Sequence, residues 1–186
     1  MQRPCVLVLA TGGTIAGLGG TATGREYRPA RVPVARLLAR LERLGLGIAA
    51  RGQRVASVGS EDIGPDIWRR LHGQCVTGLA DPATSGIVIT HGTDTAEETA
   101  LLLDLTLAAD KPIVLTGAMR PADAVGSDGL RNLANAVSVA ADRQASGRGV
   151  LLVMGEDVLA ARDAGKARTA AAGAFASFPC GQEGLV

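Results

Sequence analysis

Aromatic side chains are scarce in this sequence of 186 residues, which contains two Phe, one Trp and one Tyr. Proteins that bind nucleic acids use aromatic rings as stacking platforms, and four rings offer few of them. The charge is nearly balanced, with 19 Lys and Arg against 18 Asp and Glu. The sequence therefore predicts no nucleic-acid partner. The core must be built from Ala, Val, Leu and Ile, which suits an α/β fold.

Cysteine is also infrequent: Cys5, Cys75 and Cys180 are odd in number, lie far apart and form no C-x-x-C pair. This pattern favours neither a zinc site nor a disulfide framework and predicts free thiols in a reducing compartment. No apolar run approaches the length of a membrane span. The amino-terminal run is too short for a signal peptide and is broken by Gly12 and Gly13. We therefore expect a cytoplasmic protein with no membrane partner.

Short apolar runs alternate with segments of helical periodicity in the sequence, 47% of which is hydrophobic. Strands are predicted at 5–10, 55–58, 87–89, 112–116 and 149–154, and helices at 34–44, 65–75, 97–107 and 130–141. In the helix 97–107, we expect Leu101, Leu102 and Leu105 to face inward. The Ala-rich stretch 167–176 remains ambiguous. The alternation predicts a single α/β domain, with a mostly parallel sheet flanked by helices on both faces.

The predicted third strand leads into the polar turn HGTDT at 91–95 and then into a helix. Open α/β sheets place their ligands where strands end and helices begin, and helix amino termini favour negative charge. Two hydroxyls and a carboxylate here point to acyl or phosphoryl chemistry. The alternative is helix capping, with Thr or Asp as the cap and Glu97 and Glu98 in the first turn.

A long Gly-rich loop follows the first strand and runs to Tyr27 and Pro29. Gly12 and Gly13 let a ligand approach the backbone closely. The loop is neither a P-loop nor a dinucleotide-binding loop, because it lacks both Gly-Lys-Ser/Thr and G-x-G-x-x-G. A loop of this length in a compact domain is usually functional, often as a lid.

Parallel strands bring their carboxyl ends to one edge of a sheet. That edge would gather Thr14, Ser60, Glu61, Thr93, Asp94 and Ala118, with Lys166 close by. No serine–histidine pairing is evident, and we expect structural roles for His72 and His91. A threonine nucleophile would need activation by a lysine, a tyrosinate or a carboxylate-linked network. No cluster of metal ligands stands out, and the predicted chemistry requires neither metal nor cofactor.

Two signatures stand at the first and third strand ends: ATGGTIAG at 10–17 and ITHGTDTAEETA at 89–100. KPIVLTGAMRP at 111–121 and GVLLVM at 149–154 follow. Together they resemble the bacterial-type L-asparaginases, and the resemblance covers essentially the whole chain. It implies the amino-terminal domain of that family, a three-layer sandwich of the Rossmann or flavodoxin type. It also implies hydrolysis of the side-chain amide of L-asparagine to L-aspartate and ammonia.

The resemblance implies catalytic roles for five residues. Thr14 would be the nucleophile that forms the acyl-enzyme, and Tyr27 would assist it and close over substrate. Thr93, Asp94 and Lys166 would form a second cluster, in which the lysine helps to move protons. Asp94 would also hold the α-amino group of the substrate.

The resemblance also implies substrate contacts. Ser60 would receive the α-carboxylate, Glu61 would lie near the ammonium, and Ala118 would offer its backbone carbonyl to the reacting amide. Gly13 and Gly92 adjoin the two threonines, where backbone N–H groups would stabilise the oxyanion. One departure concerns Lys166, because Ala164 and Gly165 precede it where the family usually has hydroxyl and branched residues.

The family has a second, smaller carboxy-terminal domain and assembles as a homotetramer in which a neighbouring subunit completes the pocket. Residues 1–186 resemble the large domain alone, so we expect weak or no activity from this chain by itself. Two alternatives stay open: a non-catalytic amino-acid-binding remnant, and the asparaginase-like subunit of a tRNA-dependent amidotransferase. That subunit normally carries an extra amino-terminal domain, which is not expected here. Preference for asparagine or glutamine is also open.

Overall fold

A computed structural model describes residues 3–20, 27–171 and 173–186. Positions 21–26 of the predicted lid loop lie outside these ranges. The strands are β1 (Cys5–Gly12), β2 (Ala49–Val58), β3 (Gly86–Thr90), β4 (Ile113–Thr116), β5 (Val150–Met154), β6 (Asp157–Ala160), β7 (Ala164–Lys166), β8 (Phe175–Ser177) and β9 (Gly184–Leu185). The helices are α1 (Val34–Glu42), α2 (Pro65–Ala80), α3 (Ala96–Thr106) and α4 (Gly129–Ala141).

Seven strands form one sheet in the order β2-β1-β3-β4-β5-β6-β9. The first five strands along the chain are all parallel, with Val8 of β1 opposite Val88 of β3, and Val88 opposite Val114 of β4. β6 and β9 extend one edge in antiparallel pairing. The prediction of a mostly parallel sheet between helices is confirmed.

The side chains of each strand alternate between two faces and supply two separate cores. Val6 and Val8 of β1 pack with α1 and α4 on one face. Leu7 and Leu9 pack with α2 and α3 on the other. The central strands are buried on both faces, which explains their continuous apolar sequence.

The inward face of α3 differs from the prediction. Ala96, Thr99, Ala100 and Leu103 are buried, whereas Leu105 is 76% exposed. The buried positions recur at helical spacing, but three of them carry small side chains. The hydropathy of neighbouring leucines therefore gave the wrong face.

The four strands after β5 were not predicted. Each has four residues or fewer, and two of them, β7 and β8, form a separate small sheet that pairs Lys166 with Phe175. Strands this short give no readable alternation of polar and apolar residues. The ambiguous stretch at 167–176 leads into β8. No described helix is both long and apolar enough to cross a membrane.

Candidate active site

The order of the parallel strands creates a crevice between β1 and β3. The chain leaves β1 towards α1 and β2 on one side, and leaves β3 towards α3 and β4 on the other. Open sheets bind ligands outside the carboxyl ends of the strands at such a switch point. Thr14 and Thr93 lie there, each in a single 3₁₀ turn, Thr14–Ala16 and Thr93–Thr95.

The turns after β1, β2 and β3 touch backbone to backbone. A side chain at Gly13 (φ +73°) would collide with the backbone of Gly92. A Cβ at Gly92 would lie 2.7 Å from the hydroxyl oxygen of Ser60. The two glycines therefore allow three strand ends to converge, as the sequence predicted.

Thr14 is paired with the sole tyrosine. Its hydroxyl oxygen lies 2.6 Å from the phenolic oxygen of Tyr27, and either can donate the proton. Thr14 is 6% exposed, whereas Tyr27 is 40% exposed. The aromatic ring lies against Gly17, where a Cβ would approach the ring to 2.7 Å. One hydroxyl is thus fixed in the crevice and its partner reaches it from the surface.

Thr93 is paired with a lysine rather than with a phenol. The ammonium of Lys166 donates to the Thr93 hydroxyl at 2.9 Å and also to the carboxylate of Asp94. The lysine side chain is 14% exposed, while that of Asp94 is 69% exposed. The structure therefore brings together the predicted cluster of Thr93, Asp94 and Lys166. The lysine ammonium lies against the aspartate carboxylate and is largely shielded from water.

Helix capping does not account for the turn at 91–95. The first residues of α3 receive no side-chain cap, and the Thr95 hydroxyl instead donates to the Ser60 carbonyl oxygen at 2.9 Å. The Asp94 amide donates to the Ser60 hydroxyl oxygen at 3.3 Å. Ser60 is therefore held against this turn, and its hydroxyl hydrogen is left to serve as a donor.

Ala118 and Glu61, two further residues predicted to contact substrate, differ in how they lie relative to the site. Ala118 is fully buried two residues after β4, and it borders Gly129 together with Ile15 of the turn that carries Thr14. Glu61 is exposed, and its carboxylate folds back over Gly59. The structure thus gathers Ala118 with the site, whereas Glu61 makes no contact with another described residue that indicates a role.

The loop that carries Ala118 is held by two residues that sequence analysis missed. The carboxylate of Asp128 accepts the backbone amides of Met119 and Arg120 at 3.0–3.1 Å. Asn132 donates to both the Gly117 carbonyl and the Asp128 carboxylate at 3.0 Å. Asp128 directly precedes α4 and Asn132 lies in its first turn, and this spacing of four residues was the available signal.

Glu97 was predicted only as a possible capping charge. Its carboxylate accepts the backbone amide of Lys166. This contact fixes the backbone directly after Ala164 and Gly165, the two positions at which the sequence departs from the resemblance. Glu97 therefore orients Lys166 without touching its ammonium.

His91 is fully buried behind the turn, consistent with its predicted structural role. Its Nδ1 lies 2.7 Å from the Gly92 carbonyl, and its Nε2 lies 3.0 Å from the Thr99 hydroxyl, which also accepts from Trp68. Burial lowers the pKa of His91 to about 4, and the hydrogen bond with Gly92 acts in the opposite direction. His72 lies at the surface of α2, 3.4 Å from the Thr106 carbonyl.

Within the described ranges, no three His, Cys, Asp or Glu side chains cluster as ligands for a metal ion. The functional groups gathered at this site are two hydroxyls, a phenol, a shielded ammonium and carboxylates. Such a set can activate a hydroxyl nucleophile and move its proton.

The chain is similar to several curated proteins along nearly its whole length. It is 43% identical to "L-asparaginase 2" of Escherichia coli over 100% of this chain and 53% of that protein. It is 46% identical to "Glutaminase-asparaginase" of Pseudomonas aeruginosa over 97% of this chain and 50% of that protein. It is 42% identical to "Probable L-asparaginase periplasmic" of Haemophilus influenzae over 98% and 52%, respectively. The chain thus spans about half the length of the curated relatives that it matches.

The fold also matches a solved structure, the probable cytoplasmic L-asparaginase from Campylobacter jejuni. The TM-score is 0.92 at 34% identity, covering 99% of this chain and 56% of that one. A family model described as "Asparaginase, N-terminal" matches residues 5–186. On this match and on the relatives above, the chain belongs to the asparaginase family.

Proposed function

We propose that this chain carries the catalytic site of an amidohydrolase that releases ammonia from the side-chain amide of L-asparagine. L-glutamine is a second candidate substrate. The observation that carries the proposal is the buried hydroxyl of Thr14, set 2.6 Å from the Tyr27 phenol in the crevice between β1 and β3. The names of the asparaginase and glutaminase-asparaginase relatives support the same class of reaction.

In the proposed reaction, the Thr14 oxygen forms a bond to the carbon of the substrate amide. The hydroxyl proton passes by way of Tyr27 towards the leaving nitrogen, and the carbon–nitrogen bond breaks to release ammonia. Water then cleaves the resulting ester, which frees L-aspartate and restores the Thr14 hydroxyl. A free hydroxyl attacks poorly, so the short contact with Tyr27 is the feature that makes Thr14 the preferred nucleophile.

We assign proton transfer to the second cluster. Lys166 donates to the Thr93 hydroxyl and is nearly shielded from water. A lysine held against a hydroxyl and a carboxylate in this way can serve as a proton-transfer group. Proton movement through the Thr93 hydroxyl would then assist the departure of ammonia or the entry of water.

The substrate is a zwitterion, so the site must bind one group of each charge. Asp94 binds Lys166 through one carboxylate oxygen and is widely exposed, which supports contact of the other oxygen with the substrate ammonium. The Ser60 hydroxyl would donate to the α-carboxylate, and Glu61 would approach the ammonium. The Ala118 carbonyl would accept from the amide that reacts.

Gly13 and Gly92 would allow substrate to approach the backbone beside the two threonines. The Gly13 amide already donates to the Val58 carbonyl at 2.9 Å. We therefore assign stabilisation of the oxyanion to the amides of Thr14 and Thr93.

We further propose that residues 1–186 act as the large catalytic domain of a two-domain subunit that forms a homotetramer. Coverage of about half of each relative supports this division. We propose a cytoplasmic location on the description of the Campylobacter relative, and cell fractionation tests it against the periplasmic name of the Haemophilus relative.

The test is ammonia release from L-asparagine by the purified chain, alone and mixed with a separately expressed carboxy-terminal half of a relative. Thr14→Ala should lower the rate by at least about 10³-fold, because the nucleophile is removed. Thr77→Ala is the matched control, since Thr77 is exposed on α2 and its hydroxyl donates to the Gly73 carbonyl of the same helix.

Equal rates in the wild type and Thr14→Ala would contradict the proposed nucleophile. Tight binding of L-aspartate with no turnover in either arrangement would instead favour a non-catalytic amino-acid-binding protein. Ammonia release that requires a tRNA-charging partner would favour the amidotransferase alternative.

A further inference from the structure

The segment 17–20, which follows Thr14, is held by backbone hydrogen bonds on both sides. Leu18 and Arg28 exchange two backbone hydrogen bonds, of 3.1 and 2.9 Å. On the opposite side, the amide of Ala122 donates to the Gly17 carbonyl at 2.9 Å. The segment 17–20 thus lies between the residues that adjoin Tyr27 and the loop that follows β4.

The carboxylate of Asp123, next to Ala122, holds the same segment on that side. Asp123 accepts the Gly19 amide at 2.9 Å through one oxygen and at 3.2 Å through the other, and it accepts the Gly20 amide at 2.8 Å. Hydrogen bonds to an ionised acceptor are stronger than neutral ones. In agreement with this geometry, the Gly19 and Gly20 amides lower the pKa of the Asp123 carboxyl.

Tyr27 is joined to this segment through its ring and through its neighbour in the chain. Its ring is substantially exposed and lies against Gly17, and its neighbour Arg28 is paired with Leu18. A displacement of 17–20 would therefore carry the phenol away from Thr14. A shift of about 1 Å in a reacting group can cost roughly a hundredfold in rate.

The loop that bears Asp123 also bears Ala118. Its other end is fixed by Asp128, which accepts the amides of Met119 and Arg120. One carboxylate thus anchors the loop to α4, and the second ties the same loop to the segment beside Tyr27. The two sides of the crevice are connected through Asp123.

We propose that Asp123 is a positioning residue that holds the Tyr27 hydroxyl against Thr14 by binding the amides of Gly19 and Gly20. The proposal rests on the function proposed above for its effect on rate, but the placement of Tyr27 can be measured separately. Asp123 does not touch the reacting groups.

The experiment uses the whole 186-residue chain with ring-¹³C tyrosine and ¹⁵N glycine. Tyr27 is the sole tyrosine, so every tyrosine ring signal in the NMR spectrum belongs to it. The variants are Asp123→Ala, Asp123→Asn, which keeps one oxygen acceptor, and Thr14→Val, which removes the hydroxyl partner. Asp110→Ala is the matched control, because it removes an exposed carboxylate elsewhere.

We expect Asp123→Ala to accelerate hydrogen exchange at Gly19 and Gly20 by about tenfold or more, since it removes charge-assisted hydrogen bonds. The Tyr27 ring signals should move towards those of Thr14→Val. Ammonia release should fall by about 10- to 100-fold, mainly in kcat. Asp123→Asn should recover part of each effect, and Asp110→Ala should match the wild type.

Faster exchange at Gly19 and Gly20 with unchanged Tyr27 signals would overturn the proposal, because the carboxylate would then act only locally. Unchanged exchange in Asp123→Ala would overturn it as well. If the wild type releases no ammonia even with the carboxy-terminal half of a relative added, the proposed function fails, while the ring signals still decide the role of Asp123. If Asp123→Ala does not fold, Asp123→Asn decides it by the same two measurements.

Discussion

The two buried threonines occupy equivalent places but have different partners. Each lies in a single 3₁₀ turn at the end of neighbouring strands β1 and β3, and each is less than a tenth exposed. Thr14 contacts a phenol, whereas Thr93 contacts an ammonium that a carboxylate also binds. A phenol can share the proton of an attacking hydroxyl, while a charged pair is suited to moving protons. The difference supports a nucleophile at Thr14 and a proton relay at Thr93.

The two threonines are also held in a more tightly packed part of the fold than the residues that would activate them. Both hydroxyls belong to turns that are packed backbone to backbone between buried strands. Tyr27 reaches in from the surface beside the Leu18–Arg28 pair, and Lys166 comes from the small sheet of β7 and β8. Elements with few buried apolar contacts have low local stability. The site therefore combines fixed hydroxyls with partners that can be displaced separately.

Removal of the lysine should have the largest effect among the partners. We expect Lys166→Met to lower ammonia release by about 10³-fold, because loss of a positioned proton-transfer group typically costs 10²- to 10⁴-fold. The measurement is steady-state turnover of L-asparagine, with L-aspartate binding measured in parallel to separate chemistry from recognition.

Lys111→Met is the control, since Lys111 is the other lysine and, among the described residues, donates only to the carbonyls of Leu79 and Asp81. It should reduce stability without a comparable loss of kcat. Equal losses of kcat in the two variants would show that Lys166 has no specific part in the reaction.

The threonine-bearing turns could be predicted from the sequence, whereas the contacts of their partner residues could not. The continuous apolar strands and the glycines at 12, 13 and 92 are local signals, and they predicted both the parallel sheet and the threonine-bearing turns. Lys166 meets Thr93 across 73 positions of sequence and through strands too short to be recognised. The residues alone predicted only that Lys166 lies close to the site, and its pairing with Thr93 was expected from the family resemblance.

Supporting contacts were the least predictable part of the site. Asp123 binds Gly19 and Gly20 over about a hundred positions of sequence, and Asp128 binds the backbone of the preceding loop. A carboxylate that accepts backbone amides leaves no pattern in the sequence of the residues it binds. Such contacts follow from the tertiary arrangement, which residue spacing alone does not specify.

Removal of the phenol hydroxyl should have the next largest effect. We expect Tyr27→Phe to lower kcat for L-asparagine by about 10²-fold, because the ring stays against Gly17 while the proton partner of Thr14 is lost. Tyr27→Ala should reduce the rate further, since it also removes the ring that lies over the crevice.

Retention of wild-type kcat in Tyr27→Phe, with a loss only in Tyr27→Ala, would contradict the proposed proton transfer. Tyr27 would then serve by packing alone, and Thr14 would need another activating group.

The anchor of Lys166 should contribute less than the lysine itself. We expect Glu97→Ala to lower ammonia release by about tenfold, because the backbone amide of Lys166 loses a charged acceptor worth roughly 1.5–3 kcal/mol. Glu97→Gln keeps an oxygen in that place and should recover most of the activity. Glu98→Ala is the neighbouring control, since Glu98 is exposed on the same helix turn. A similar loss in Glu97→Ala and Glu98→Ala would indicate a general effect of charge at the start of α3.

Protonation of His91 should affect the fixed turns without altering turnover at neutral pH. Burial lowers its pKa to about 4 in the folded protein, against 6.5 as the reference value. The unfolded chain therefore binds a proton between pH 6.5 and 4 that the folded chain does not. The free energy of unfolding should fall by up to about 3 kcal/mol as the pH decreases through this window.

His91→Gln stays neutral at every pH and should remove most of that slope, as measured by urea unfolding at several pH values. It should also be less stable than the wild type at pH 7, because it loses the contact with the Gly92 carbonyl. Asp81 and Asp123 have lowered pKa values, so their contributions are lost only below about pH 4, outside this window. An undiminished slope in His91→Gln, with a reduced slope in His72→Gln, would assign the pH dependence to the surface histidine. The turn that carries Thr93 would then be insensitive to its buried neighbour.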